Sequence, residues 1–239
     1  MTTWVAYVNV PPDFVERNRR KIFPKCSRLF YDKETRRLIV KLAGPAHEIV
    51  TTGISKEITD QIVMVNPSLR LDFLPTGASQ IHGNSCSKEA DWSGQPSDVA
   101  LPPGRSDKWP SIVLETGISE KLNRLRNDAR WWLSNSEGQV KVVIIVAVNT
   151  NAPIIKFEAM YISNTITLRN GRRRFIISTR QVMDITRAAN LQVITTGGPF
   201  LIRFEELFCR APVFPEVDIY LDPLVINILA ETIWRRLNI

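Results

Sequence analysis

The sequence predicts an α/β protein built on a mixed central sheet flanked by helices. An apolar strand over residues 110–115, a helix over about 119–134 and a second strand over 140–148 follow one another within about 35 residues. That order and spacing are those of a right-handed crossover between parallel strands. Residues 140–148 form an unbroken apolar run rich in β-branched side chains, which marks a strand buried on both faces. With 239 residues, 44% hydrophobic and 23% charged, and with only 11 Gly and 15 Pro, the chain can bury a core and is neither disordered, collagen-like nor of low complexity.

The elements follow in order. Leu38, Ile39, Val40 and Leu42 make a short strand that stops at Gly44-Pro45. Pro45 suits the first turn of a helix, and His47, Glu48, Val50, Ile54, Ile58 and Ile62 continue it at helical spacing until Asn66-Pro67-Ser68. Residues 70–74 alternate polar and apolar as a half-buried strand does, and 79–81 extend the sheet. Residues 82–108, rich in Gly, Ser and Pro, read as loop flanking a short strand. Leu122, Leu125, Ala129, Trp132 and Leu133 form the buried stripe of the central helix, which Gly138 caps. After Asn151-Ala152-Pro153 come a strand over 154–162, an Asn170-Gly171 hairpin turn, strands near 174–178 and 201–204, and a helix over about 223–237. No internal repeat or linker interrupts this order, so one domain over 1–239 is expected: a basic N-terminal extension (1–37), a core (38–162) and a C-terminal elaboration (163–239).

The net charge of +7 is unevenly placed. Residues 1–41 hold ten basic side chains (Arg17, Arg19, Arg20, Lys21, Lys25, Arg28, Lys33, Arg36, Arg37, Lys41) against four acidic ones, a local +6. A second concentration is Arg169-Asn170-Gly171-Arg172-Arg173-Arg174. Such runs suit either a solvated surface or a phosphate backbone, and Arg172, Arg173, Arg174 and Lys88 are the nucleic-acid-binding candidates. Cys26, Cys86 and Cys209 lack metal-ligand spacing and fit small buried hydrophobes in a reducing compartment. With only His47 and His82 present, a three-histidine zinc site is excluded. No uncharged run reaches about 18 residues and residues 1–10 lack signal-peptide order, so an intracellular protein without a membrane span is expected, its oligomeric state open and a homodimer compatible.

Two carboxylates stand out. Glu115 closes the apolar strand Ile112-Val113-Leu114, and so lies at the C-terminal end of a central strand, where open α/β sheets place their crevices. Asp91 sits beside Trp92 in the Gly/Ser-rich stretch. Glu115 could equally begin a loop and Asp91 could close an Asx turn. Two carboxylates from separate segments suit a hard divalent cation such as Mg²⁺.

The order His47-Glu48, then Lys88-Glu89-Ala90-Asp91, then Trp109-Pro110-Ser111-Ile112-Val113-Leu114-Glu115-Thr116-Gly117-Ile118-Ser119 resembles the restriction-endonuclease-like PD-(D/E)xK superfamily. From Trp109 through Asp128-Ala129-Arg130-Trp131-Trp132 to Ile145 it is similar to uncharacterised fungal proteins of that fold, and more distantly to a family of predicted bacterial endonucleases. The resemblance implies a restriction-endonuclease-like core and a nuclease dependent on Mg²⁺ or Mn²⁺, acting on DNA or RNA through metal-activated water. It implies metal-binding roles for Asp91 and Glu115, a helical acid at Glu48, and a metal-facing carbonyl at Thr116. The superfamily's lysine, two residues after the glutamate, is here Gly117. Arg126 or Arg130 on the following helix, Lys141 or Lys88 could supply the cation instead, although an arginine can clamp phosphate but not act as a base at neutral pH. The alternative is a catalytically inactive module of the same fold that binds nucleic acid or a protein.

Other conspicuous residues have plainer readings. Trp131-Trp132 lies on an amphipathic helix, which makes at least one ring core. His47 suits a satisfied helix-terminal histidine, and Gly197-Gly198 lacks the context of a nucleotide loop.

Overall fold

A computed structural model describes residues 3–24, 26–83 and 85–239, the side chains of Thr3 and Arg20 excepted. The basic Lys25 and the start of the N-terminal segment, residues 1 and 2, lie outside the described residues. In chain order the elements are β1 (Thr3–Tyr7), α1 (Phe14–Ile22), β2 (Ser27–Asp32), β3 (Arg37–Leu42), α2 (Pro45–Val65), a 3-10 turn (Pro67–Arg70), β4 (Phe73–Pro75) and β5 (Gln80–His82). There follow β6 (Cys86–Glu89), β7 (Trp92–Pro96), β8 (Ile112–Ile118), α3 (Leu122–Asn135), β9 (Val142–Val148), β10 (Ile154–Thr167) and β11 (Arg173–Arg187). The chain ends with β12 (Val193–Thr196), β13 (Leu201–Ile202), α4 (Phe204–Phe208), β14 (Ile219–Tyr220) and α5 (Pro223–Leu237).

The larger sheet has seven strands in the order β12-β11-β10-β9-β8-β7-β4. Among the described residues its one parallel pair is β8 with β9, joined through α3, so the expected crossover unit forms within a mixed sheet. Period-two alternation sorts β8 between two cores. Ile112 and Leu114, with Ile144 and Val146 of β9, face Ile54, Ile58 and Ile62 of α2 and Ile226, Ala230 and Ile233 of α5. Val113, with Val143 and Ile145, faces Leu125, Ala129, Trp132 and Leu133 of α3. The same alternation places Glu115 and Gly117 on the α3 side and Thr116 on the α2 side. A second sheet, β1-β3-β2-β6-β5, packs with α1 around Leu29, Tyr31, Leu38 and Val40. No described helix is long and apolar enough to cross a membrane.

Local pattern and fold part company in three places. Residues 70–74 do not run as one strand: Asn66 Oδ1 accepts from the Ser68 N–H at 3.1 Å and starts the 3-10 turn, which leaves only Phe73–Pro75 for pairing. The stretch 82–108 holds two paired strands rather than one, β6 against β2 and β7 against β8. Beyond Ile202 the expected strand turns helical, because Glu206 accepts from the Arg203 N–H at 3.1 Å and caps α4. The basic N-terminal segment contributes β1, α1 and β2, elements that its charge pattern conceals.

Candidate active site

Trp92 of β7 pairs with Leu114 of β8, which brings Asp91, just before β7, beside the Glu115–Thr116 end of β8. The Thr116 N–H donates to Asp91 Oδ2 at 2.8 Å. Both carboxylates are buried, with Asp91 3% and Glu115 3% exposed. A buried carboxylate requires compensation, and the second sheet provides it.

Lys41, at the end of β3, places Nζ 2.5 Å from Asp91 Oδ2 and 2.7 Å from the Thr116 carbonyl. His47 of α2 brings Nε2 to 3.1 Å from the same Asp91 oxygen. Arg28 of β2 lies between two acids, its Nη2 3.2 Å from Glu48 Oε1 and its Nε 3.7 Å from Asp91 Oδ1. Glu115 is held separately: the Trp132 indole N–H donates to Oε1 at 2.5 Å and Lys88 Nζ stands 3.3 Å from it. Lys88 also pairs with Asp128 of α3. Trp4, Arg28, Lys41, Lys88, Glu115 and Asp128 line a cleft of about 20 Å³, room for about one water.

The two carboxylates differ in proton affinity. Burial raises the Asp91 carboxyl, but the Lys41 ammonium and then His47 outweigh it and hold the group well below the usual carboxylate range. Burial pushes Glu115 up to about 7, the negative charges of Asp91 and Asp128 add to the rise, and Lys88 and Lys41 oppose it. Burial is also the main cause that raises Glu120, which is ion-paired to Arg124, to about 7. Lys41 and Lys88 are held above the ordinary lysine value: burial lowers each, and the surrounding carboxylates more than reverse it.

Of the sequence candidates, Asp91, Glu115, Thr116 and Lys88 meet in this cluster, and Glu48 reaches it through Arg28 from a partly exposed position. Arg126 is turned to Glu158 of β10, which it grips with Nε at 2.8 Å and Nη2 at 2.5 Å. Arg130 is exposed and bonds Asn127 at 2.9 Å. Lys141 donates to the Gly138 carbonyl at 2.7 Å. Arg172, Arg173 and Arg174 are exposed at and beyond the β10–β11 turn. Gly117 has a packing reason, since a Cβ there would stand 2.8 Å from Leu125 Cδ1 and 2.9 Å from Glu120 Cβ.

Lys41 and Arg28 are the residues that sequence reasoning missed. Each is a cation buried on a strand with apolar neighbours, and that unusual placement was their only local signal. Among the described residues no group of three His, Cys, Asp or Glu side chains is arranged to hold a metal. Asp91, Glu115 and the Thr116 carbonyl are oxygen donors, the kind that Mg²⁺ and Mn²⁺ favour, and the carbonyl accepts from Lys41 Nζ. Asp91 Oδ1 is buried and accepts no hydrogen bond among the described residues, and Arg28 Nε stands 3.7 Å from it.

Fold and site together define a mixed α+β protein with a buried carboxylate–lysine cluster between two sheets. No protein-family model matches the chain, and no curated protein matches it in sequence. Among solved structures it is similar to the crystal structure of a DUF820 protein from Anabaena variabilis that has been proposed to be a nuclease, with 10% identity over 87% of this chain and 90% of that one and a TM-score of 0.38.

Proposed function

We propose that the protein is a nuclease dependent on Mg²⁺ or Mn²⁺, with Asp91 and Glu115 as the metal anchors, Thr116 as a carbonyl ligand and Glu48 as a further acid. The observation that supports this reading most directly is that Lys41 and Arg28, the cations paired with Asp91, line one cleft together with Glu115 and its partner Lys88. The order of these acids in the sequence, which resembles the PD-(D/E)xK pattern, supports it as well. A bound divalent ion would activate water and offset the charge that develops on the scissile phosphate. Lys41 takes the role left open by Gly117: its ammonium neutralises Asp91 in the free protein and is in place to meet the phosphate. Arg28 and Lys88, both buried, add positive charge to the cleft lining, and Trp132 fixes the Glu115 carboxylate through its N–H.

One observation favours a second reading. The Lys41 ammonium already bridges Asp91 Oδ2 and the Thr116 carbonyl, so the cluster is compensated without a metal, as a catalytically inactive binding module requires. The two readings part on one experiment: incubation of the protein with double- and single-stranded DNA and with RNA, in Mn²⁺ and in EDTA. The nuclease reading expects cleavage in Mn²⁺ that EDTA and Glu115→Gln both abolish. Binding without cleavage in any of these conditions supports the module.

A further inference from the structure

The β10–β11 hairpin is longer than the sheet that carries it. β9 pairs with β10 no further than Met160, and β12 pairs with β11 only at Asp184, Ile185, Thr186 and Arg187. From residue 161 to residue 182 the two strands have only each other as strand partners. Ile162 and Ile177 seat the base of this ribbon against the α3 core, and residues 163–174 are all exposed. At about 3.4 Å per residue, 163–167 alone carry the tip about 17 Å outward. Register shifts at Ala159/Met160 and Ile162/Asn164 add bend and twist at the base.

The composition of this arm is one-sided. Residues 161–180 contain five arginines and no acid. Arg180 is tied at the base to Glu206, and Arg173 to Glu137 at 2.6 Å, whereas Arg169, Arg172 and Arg174 make no ion pair among the described residues. The turn is fixed: the Leu168 N–H donates to the Arg172 carbonyl at 2.8 Å, Asn170 Oδ1 accepts from the Arg172 N–H at 3.1 Å, and Gly171 takes the φ of +77° that the turn requires. Arg173 and Arg174 are consecutive on a strand and so project from opposite faces of the ribbon. The other exposed side chains include Ser163, Asn164, Thr165, Thr167 and Asn170, all able to bond phosphate or base edges.

We propose that this ribbon is a DNA-binding arm that enters the major groove of double-stranded DNA, its arginines meeting the phosphates of both groove walls. This deepens the nuclease reading by naming duplex DNA as the substrate class, and only the link between arm and cleavage rests on that reading. The B-form major groove is about 12 Å wide and admits a two-stranded ribbon, whereas the A-form groove of duplex RNA is too narrow. Single strands are bound on exposed aromatic platforms. The arm offers none that is exposed: Tyr161 at its base and Phe175 are both partly buried, with the Arg180 guanidinium 5.8 Å from the centre of the first ring and the Arg173 guanidinium 5.6 Å from that of the second.

The test is fluorescence anisotropy with the full chain in EDTA, so that binding is read without cleavage, on a 20-base-pair DNA duplex, the matching RNA duplex and single-stranded DNA. The wild type is expected to bind the DNA duplex tightest. The variant Arg169→Gln/Arg172→Gln/Arg174→Gln is expected to lose on the order of 10-fold or more near 0.1 M salt, and its slope of log K against log salt to be shallower by about 2.7, at about 0.9 per phosphate contact. Arg→Lys at the same three positions is expected to keep the slope. Unchanged affinity and slope in the Gln variant, or a wild type that binds duplex RNA or single strands as tightly as duplex DNA, overturns the proposal. Because the readout needs no metal, failure to cleave leaves the arm standing, and loss of arm-dependent binding leaves the cleavage site standing.

Discussion

Lys41 Nζ lies 2.5 Å from Asp91 Oδ2, and both groups are buried between the two sheets. Removing one partner of such a pair leaves an uncompensated buried charge, whereas removing both does not. Lys41→Met is therefore expected to cost about 3–5 kcal/mol. Lys41→Met/Asp91→Asn is expected to recover at least about half of that loss, since residues in contact are not additive. Urea midpoints at constant m measure this directly. Additive losses would show that the pair does not couple.

The carboxyl of Glu115, raised to about 7 by burial, carries a proton that the unfolded chain has already released. The stability it contributes is fully present below the ordinary glutamate value of about 4.5 and is lost as pH rises through about 7. Binding of Mn²⁺ requires the carboxylate, so binding at pH 6 is expected to release more protons than binding at pH 8. Calorimetry in buffers of different ionisation enthalpy counts them. Glu120 rises to a similar value, so Glu120→Gln is the control that removes its proton and leaves that of Glu115.

The indole N–H of Trp132 donates to Glu115 Oε1 at 2.5 Å inside the core. Trp132→Phe keeps a ring there but removes the donor. With Glu115 ionised the lost bond is charge-assisted, and the expected cost is about 1.5–3 kcal/mol at pH 8.5, falling at pH 5 where the carboxyl is neutral. Equal losses at the two pH values would mean that packing alone decides.

Gly117 stands where the superfamily that this sequence resembles carries its lysine. A Cβ at this position meets Leu125 Cδ1 at 2.8 Å and Glu120 Cβ at 2.9 Å. Gly117→Ala is expected to cost about 1–3 kcal/mol by overpacking. Gly117→Lys should cost more and yield no gain in cleavage, because in the proposed site Lys41 provides the ammonium. A stable and more active Gly117→Lys variant would assign the lysine role back to β8.

Much of this architecture was legible where a local period sets the structure. Leu125, Ala129, Trp132 and Leu133 mark the buried face of α3, Val142–Val148 is apolar at every position, and β8 and β9 pair in parallel around α3 as that order requires. Legibility failed where distant pairing decides. Cys86–Glu89 and Trp92–Pro96 look like loop because their hydrogen-bond partners are β2 and β8. Asp91 and Glu115 stood out as acids in unusual settings, and the pairing of β7 with β8 brings their backbones close together. Of their counter-ions Lys88, 27 residues from Glu115, was among the candidate cations, but Lys41, 50 residues from Asp91, did not stand out, because no local pattern encodes such a pairing. Arg126 resembled a site cation because the sequence does not reveal that Glu158 of β10 faces it.

The claim that Asp91 and Glu115 hold a divalent ion is tested most directly by the anomalous difference map of a crystal soaked in Mn²⁺ at pH 8. The expected result is a peak within about 2.0–2.6 Å of carboxylate oxygens of both Asp91 and Glu115, with Lys41 displaced from Asp91 Oδ2. A map without a peak, with Lys41 still on Asp91 Oδ2 and the Thr116 carbonyl, would contradict it.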